Sequence, residues 1–207
     1  MKLITDKELD QMEQRFRASF INSITGFKSV ALIGTKNNAN QENLAIFNSI
    51  VHLGSNPALI GMIIRPDSVE RHTLENIEET GFYTINHILE SFVEQAHHTS
   101  ARYPRNVSEF EASGLTPFYR ADFFAPYVKE STVQIGMEFK TKMNIPINNT
   151  LMIIGQIKSI SLPEKAISTD GYIDLEITKT ITNSGLDSYH RTERIVRIPY
   201  AKPLFSE

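Results

Sequence analysis

The chain has 207 residues, of which 41% are hydrophobic and 22% are charged, a balance typical of a folded globular protein. Its net charge of −3 and pI of about 6.1 give no support for a basic surface, so we expect no nucleic-acid partner. Cysteine is absent, which excludes disulfides, thiolate metal sites, iron–sulfur clusters and a cysteine nucleophile.

The first predicted element is a helix over about residues 5–20. Thr5 and Glu8 have the spacing of a capping box. Apolar side chains then recur every three or four residues and form one stripe: Leu9, Met12, Phe16 and Phe20. We expect this stripe to pack against the main body of the protein or against a partner subunit.

The start of the chain has no apolar core of signal-peptide length. No segment approaches the ~20 consecutive apolar residues that a membrane-spanning helix needs. These two features predict a cytoplasmic protein with no membrane partner.

Short apolar and β-branched segments dominate the rest of the chain, and clusters of turn residues such as HLGSNP separate some of them. Few long helices intervene, which favours an antiparallel sheet or barrel over a doubly wound parallel sheet. The segment at 133–140 alternates strictly and predicts a strand half-exposed to water. The predicted strands cover residues 29–35, 44–51, 58–64, 82–86, 133–140, 151–160, 172–177 and 195–198.

Three short helices are predicted between these strands. The first covers residues 73–80, with Thr73 as its cap and Gly81 after its end. The second covers residues 90–100. The third follows Ser108, which has capping-box spacing to Glu111, and it ends at Gly114.

The sequence lacks the motifs of several common enzyme classes. It contains no G-x-G-x-x-G, no G-x-x-x-x-G-K-[ST] and no G-x-S-x-G, which argues against a Rossmann nucleotide site, a P-loop and a nucleophile elbow. None of the six histidines forms an H-x-x-x-H pair, so we expect no metal site.

A cationic cluster follows the predicted strand at 58–64. Arg65 ends that strand, and Arg71, His72 and Thr73 open the next helix. Cationic and hydroxyl groups at a helix start suit a phosphate, because free N–H groups and the helix dipole attract anions there. In the other interpretation, Thr73 simply caps the helix and the basic side chains are solvated.

A run of small and polar residues lies in the predicted strand at 44–51 and just before it. One interpretation is an edge strand with ordinary polar alternation. The other is a strand whose backbone amides face a flat heteroaromatic ring and its polyol chain, since small side chains allow close approach. The residues concerned are Asn43, Ala45, Asn48 and Ser49.

Three longer motifs occur in a recognisable order. They are NLAIFNS from Asn43, SNPALIGMIIRP from Ser55 and RHTLENIEETGFYTIN from Arg71. Together they resemble the flavin reductase-like family of FMN-binding split-barrel proteins. Later segments are similar to the same family and extend the resemblance to about residues 27–203: QAHHTSARYP, GLDSY and IPYAKP.

The resemblance implies a mainly β fold, a six-stranded antiparallel split β-barrel of Greek-key type with added helices. Residues 1–207 would form a single domain that includes the N-terminal helix. The resemblance also implies a homodimer with FMN near the subunit interface. The residues implied to contact FMN are Asn43, Leu44, Ala45, Asn48 and Ser49 along the ring and ribityl chain, and Arg65, His72, Thr73 and Ser100 at the phosphate.

Our first hypothesis is therefore an NAD(P)H-dependent flavin oxidoreductase that passes electrons to a small-molecule or protein acceptor. No side chain is assigned as catalytic, because a flavin would carry the redox step. One alternative is a flavoredoxin-like FMN electron carrier that works with a protein partner, and another is a split barrel that binds a different ligand. His52 or Tyr189 would either shape the acceptor site or serve a structural role.

Overall fold

The computed structural model describes residues 1–65 and 71–203. Pro66, the last residue of the SNPALIGMIIRP motif, lies outside these ranges. The helices are α1 (Asp6–Gln11), α2 (Gln14–Ile24), α3 (His72–Thr80), α4 (Val93–His98) and α5 (Glu109–Ser113), with 3-10 turns at Glu90–Phe92 and Glu164–Ala166. No helix among the described residues has both the length and the apolarity needed to cross a membrane.

The described part of the chain also contains twelve strands, most of them short. They are β1 (Lys28–Ser29), β2 (Ala31–Lys36), β3 (Glu42–Phe47), β4 (Ile50–Ser55), β5 (Ala58–Ile64), β6 (Phe82–His87), β7 (Pro117–Phe118), β8 (Tyr127–Val128), β9 (Gln134–Ile145), β10 (Thr150–Ser161), β11 (Thr182–Ser184) and β12 (Ser188–His190).

The main sheet is an antiparallel barrel. Its strand order is β3-β2-β6-β9-β10-β5-β4, so β3 and β4 lie at its two edges although they are consecutive in the chain. A flat sheet would hold these edges roughly 29 Å apart, at about 4.8 Å per strand. The short link through Asn48 and Ser49 reaches at most about 11 Å. The sheet must therefore roll up, which agrees with the predicted fold class.

The main sheet has seven strands and not the predicted six, because the predicted strand at 44–51 is divided into β3 and β4. The division falls at Asn48 and Ser49: the Asn48 side-chain amide donates to the Gly185 carbonyl at 3.0 Å, and the Ser49 carbonyl accepts from the Ile63 N–H at 2.9 Å. As a result, β3 before this division pairs with β2, and β4 after it pairs with β5. The HLGS residues, predicted as a turn, belong to β4; the turn itself is at Asn56-Pro57.

Two apolar cores lie on opposite sides of the barrel wall. Ile33 on β2 points into the barrel, whereas its neighbour Leu32 points outward to a second core under α4 and α5. The barrel core includes Met62, Tyr83, Met137 and Ile153, and the second core includes Leu44, Ile88, Phe92 and Phe110.

The prediction of a half-exposed strand at 133–140 was wrong for its first half. Residues 133–137 are all buried. Gln134 tolerates burial because its amide donates to the carbonyl of Val128 at 2.7 Å and accepts from Arg120 at 2.7 Å. Tertiary hydrogen bonds therefore replace the water that the alternating pattern implies.

The predicted N-terminal helix is two helices rather than one. The Thr5–Glu8 capping box is present, as predicted. The break falls at Met12 and Glu13, because the Glu13 carboxylate accepts from the N–H groups of Arg15 and Phe16 and so caps a second helix.

The shorter helices follow the prediction in position but not in all their caps. The segment predicted at 90–100 begins as a 3-10 turn and continues as α4. Ser108 occupies the cap position of α5 without a side-chain capping bond, so the predicted capping box does not form. Gly81 and Gly114 end their helices with φ of 77° and 74°, as expected for glycine after a helix.

Two predicted strands near the C-terminus are absent. In the segment at 172–177, the Asp174 carboxylate accepts from the N–H groups of Glu176 and Ile177 at 3.1 and 3.4 Å, which bends the chain into turns. The segment at 195–198 has no assigned secondary structure and pairs with no strand in the described part of the chain, and Ile195 is 99% exposed.

His87 gives a prediction for stability against pH. Its Nδ1 lies 3.0 Å from the Thr180 hydroxyl, and burial lowers the imidazole pKa from 6.5 to about 4. Below pH 6.5 the unfolded chain binds a proton that the folded protein does not, so the free energy of unfolding should fall towards pH 4. The difference between the two pKa values limits the loss at pH 4 to about 3 kcal/mol. The partial exposure of His87 should make the measured loss smaller than this limit.

Urea unfolding at pH 7, 5.5 and 4 measures this loss, with His87→Gln as the test variant. We expect the wild-type protein to lose stability relative to His87→Gln as the pH falls. His52→Gln, at an exposed position on β4, should run parallel to the wild type. Parallel curves for all three proteins would contradict the assignment.

Candidate functional site

A cavity of about 770 Å³ opens beside the edge strand β3 and the Asn48–Ser49 link that follows it. Its wall combines β3, the end of β5, the start of α3, the loop after α4 and the β11–β12 hairpin. All but one of the residues predicted to contact FMN lie on this wall: Asn43, Ala45, Asn48, Ser49, Arg65, His72, Thr73 and Ser100.

Leu44 is the predicted residue that does not line the cavity. Its side chain is fully buried in the second core, because alternate residues of a strand face opposite sides and both Asn43 and Ala45 face the cavity. Only its backbone remains near the site, and that N–H donates to the carboxylate of Glu109 at 3.0 Å.

Thr73 does not cap α3, contrary to the prediction. The cap position is Arg71, and Thr73 lies inside the first turn, buried to 7% exposure. Its hydroxyl oxygen accepts from the Asn43 side-chain amide at 3.0 Å, and that amide also donates to Thr35 at 3.4 Å. Because the Thr73 oxygen accepts from Asn43, its O–H remains able to donate to a ligand in the cavity.

Cationic side chains gather beside the start of α3. Arg65 at the end of β5, Arg71 before the helix and Arg102 after α4 all line the cavity. Arg65 is exposed at the rim, and it adds to burial in lowering the pKa of Lys28. The start of a helix adds its own partial positive charge, so this part of the wall attracts anions.

Glu109 supplies a buried carboxyl to the same wall. It is 7% exposed, and burial raises its pKa, while the bond from the Leu44 N–H and the neighbouring His72 act in the opposite direction. The bond to Leu44 fixes α5 against β3, so Glu109 positions the strand that carries Asn43 and Ala45.

Asn48 joins the barrel to the β11–β12 hairpin. Its side-chain amide donates to Asn183 Oδ1 at 2.9 Å and to the Gly185 carbonyl at 3.0 Å. Lys28 donates to the same carbonyl at 2.9 Å. Gly185 has a φ of 64°, which allows the tight turn that brings Leu186 to the cavity.

Sequence reasoning missed several residues of the wall. His97 on α4 is one of them. It lines the cavity together with Tyr189 on β12, which the sequence had suggested for the acceptor site or a structural role, and its Nδ1 lies 2.7 Å from the Tyr189 phenol oxygen. They are 92 positions apart in the chain, so no spacing rule could pair them. Both fall in segments that carry the family resemblance, which was the available signal. Other wall residues missed as contacts were Arg102, Glu109, Leu186 and Asp187.

The donor set of this wall fits a phosphorylated, largely planar ligand. Guanidinium groups, a hydroxyl and a helix start suit a phosphate, and Ala45 leaves space against strand β3. Within residues 1–65 and 71–203, no group of three histidine or acidic side chains is placed to hold a metal ion.

The barrel and its edge cavity together define a split-barrel protein. A sequence model described as a flavin reductase-like domain matches residues 27–176. The chain belongs to this flavin reductase-like family.

Solved structures agree with this assignment. A candidate flavin reductase with a split barrel domain from Shewanella frigidimarina NCIMB 400 is 48% identical, with 97% of this chain and 100% of that chain covered and a TM-score of 0.93.

Two more distant structures show the fold alone. Nitrilotriacetate monooxygenase component B from Bacillus cereus is 20% identical, with a TM-score of 0.82 over 96% of this chain and 98% of that chain. The flavoredoxin of Desulfovibrio vulgaris (Miyazaki F) is also 20% identical, with a TM-score of 0.73 over 84% of this chain and 92% of that chain.

Proposed function

We propose that this protein is an FMN-binding oxidoreductase of flavin reductase type, which takes electrons from NAD(P)H and passes them through the flavin to an acceptor. The observation that carries the proposal is the gathering of Arg65, His72, Thr73 and Ser100 with the small residues of β3 around one cavity. These residues come from separate parts of a chain that belongs to the flavin reductase-like family.

The phosphate of FMN would bind beside the start of α3. Thr73 would donate its O–H while accepting from Asn43, and Arg65 would add a charge-assisted hydrogen bond from the rim. His72 lies at the first position of the helix, where backbone N–H groups face the same space.

The ring and ribityl chain would lie along β3 and the Asn48–Ser49 segment that follows it. Asn43 and Ala45 face the cavity here, and Asn48 keeps the β11–β12 hairpin in place beside it. The bound flavin supplies the redox chemistry. The protein would bind and orient it, and Leu186 and Tyr189 would shield it from water.

We also propose that the protein acts as a homodimer in the cytoplasm. None of the residues of α1 and α2 is buried, and Phe16 and Ile24 are 59% and 69% exposed. Of the predicted apolar stripe, Phe16 is exposed and Leu9, Met12 and Phe20 are only half-buried in this chain, which supports the expected contact with a partner subunit.

Flavin titration followed by reduction tests the proposal. Purified protein should take up FMN with a shift in the flavin absorbance spectrum, and anaerobic NADH or NADPH should bleach it. FMN binding without nicotinamide oxidation would favour the flavoredoxin-like carrier. A protein that binds no FMN on titration would contradict both functions and leave a split barrel for another ligand.

A further inference from the structure

The His97–Tyr189 pair is a close polar contact whose two members both line the cavity. The imidazole Nδ1 and the phenol oxygen are 2.7 Å apart, and the rings meet edge to face with centroids 5.7 Å apart. The two groups come from α4 and β12, so tertiary structure alone brings them together.

Several contacts hold these two elements in place. Arg191, just after β12, pairs with Glu90 at 2.6 Å, two turns before His97. The Ile181 N–H, just before β11, donates to the Ile88 carbonyl at 3.1 Å. The hairpin is therefore attached to the α4 region at more than one point, and the pair has a defined geometry.

The hydrogen-bond roles depend on the tautomer of His97. When Nδ1–H donates to the phenol oxygen, the Tyr189 O–H is free to donate to something else in the cavity. His97 lies in the last turn of α4 and is exposed, so its ring can exchange protons with solvent. In this arrangement the Tyr189 hydroxyl can donate a proton to the cavity, and the His97 imidazole can replace that proton.

Several charged and titratable groups lie near the pair. Asp187 lies on the hairpin turn and, after burial, raises the pKa of Tyr189, which keeps the phenol protonated. Further along α4, His98 contacts Tyr103 at 3.4 Å, and the Glu90–Arg191 ion pair lies at the other end. The same cavity wall also carries charged and titratable groups that a pH profile must take into account: Arg65, Arg71, His72, Arg102 and Glu109.

We propose that Tyr189 donates a proton to a small conjugated carbonyl acceptor of the quinone class, and that His97 positions the Tyr189 hydroxyl and restores its proton. This inference rests on the proposed flavin function, because the reducing equivalents come from bound reduced flavin. Tyr189 is the catalytic residue in this proposal and His97 is a positioning residue.

Reduction of a quinone to a hydroquinone takes one hydride and one proton. Bound reduced flavin would supply the hydride and be oxidised; the hydride would form an O–H bond at one quinone oxygen, and the electron shift that makes the ring aromatic would leave the other oxygen negatively charged. That oxygen takes the proton as the Tyr189 O–H bond breaks. The Nδ1 proton of His97 passes to the Tyr189 oxygen while Nε2 of the exposed imidazole takes a proton from solvent, and exchange with solvent then restores the original tautomer.

Two acceptors separate proton donation from electron transfer. Tetramethyl-1,4-benzoquinone needs a proton for its reduction, whereas ferricyanide takes single electrons and no proton. We would mix the reduced protein–FMN complex with each acceptor between pH 5 and 9. Tyr189→Phe should slow reoxidation by the quinone roughly 100-fold and flatten its pH profile. Reoxidation by ferricyanide should be unchanged.

Binding provides a readout that does not depend on turnover. With oxidised flavin no electrons flow, so the affinity for the quinone can be measured at equilibrium. Tyr189→Phe should weaken it roughly 2- to 10-fold, because one hydrogen bond to the carbonyl is lost. His97→Gln should leave this affinity nearly unchanged while it alters the pH profile of quinone reduction.

Tyr119→Phe is the matched control. It also removes a phenol bonded to a titratable side chain, Glu42 at 2.6 Å, but outside the cavity, and its rates should equal those of the wild type. Equal slowing with quinone and ferricyanide, or no slowing with either, would overturn the assignment of Tyr189 while leaving the flavin function intact. A protein that binds no FMN would overturn both.

Discussion

Replacing Thr73 by valine should weaken FMN binding by about 1.5–3 kcal/mol, roughly 10- to 150-fold in Kd, and leave riboflavin binding nearly unchanged. Riboflavin lacks the phosphate, so the difference between the two ligands isolates contacts to that group. Thr73 is buried on the cavity wall and its oxygen already accepts from Asn43 at 3.0 Å, which leaves its O–H able to donate to a ligand. Flavin fluorescence quenching during titration measures both dissociation constants.

Thr73→Ser is the matched control, because it keeps the hydroxyl and should retain most of the FMN affinity. Arg65→Ala should also weaken FMN selectively, but by about 1 kcal/mol, since Arg65 is exposed and solvent screens its charge. Thr35→Ala removes another hydroxyl of the Asn43 network away from the cavity wall and controls for structural damage. Equal losses for FMN and riboflavin in Thr73→Val would show that Thr73 does not contact the phosphate.

Replacing Gly155 by alanine should destabilise the protein by about 3 kcal/mol or more, because the barrel has no room for the added methyl group. A Cβ at this position on β10 would lie 2.2 Å from the Tyr83 hydroxyl and 2.9 Å from its Cζ. Tyr83 is fully buried in the barrel core and has little freedom to move aside. Thermal unfolding should report a fall in Tm of roughly 6–12 °C.

A double-mutant cycle checks the cause. The Tyr83 hydroxyl has no hydrogen-bond partner in the part of the chain that the structure describes, and burial raises its pKa. Tyr83→Phe alone should therefore be neutral or slightly stabilising, and it should reduce the cost of Gly155→Ala. Gly54→Ala on β4, where the nearest atom is 3.5 Å away, should change stability by less than about 0.5 kcal/mol. Additive effects in the cycle would mean that the two residues do not collide.

Local signals in the sequence were reliable where neighbouring residues alone determine the structure. The Thr5–Glu8 capping box and the ends of α3 and α5 at glycine were all confirmed. In each case the hydrogen bonds or backbone angles involve residues only a few positions apart.

Signals failed where distant residues compete for the same groups. Thr73 was predicted as a cap, but its oxygen accepts from Asn43, thirty positions earlier in the chain. Gln134 was predicted to face water, but Val128 and Arg120 satisfy its amide in the interior. Asp174 produces turns in a segment whose alternation predicted a strand.

The sequence by itself determined the split-barrel class, the family and the residues expected around a phosphate, because these depend on the order of short motifs and on local residue chemistry. Only the tertiary structure decided which of those residues share a cavity. Strand alternation turns Leu44 into the core, and the rolled sheet brings Arg65, Thr73 and Ser100 to one wall. The contact of His97 with Tyr189 arises in the same way, since the packing of the hairpin beside α4 joins groups that no sequence spacing connects.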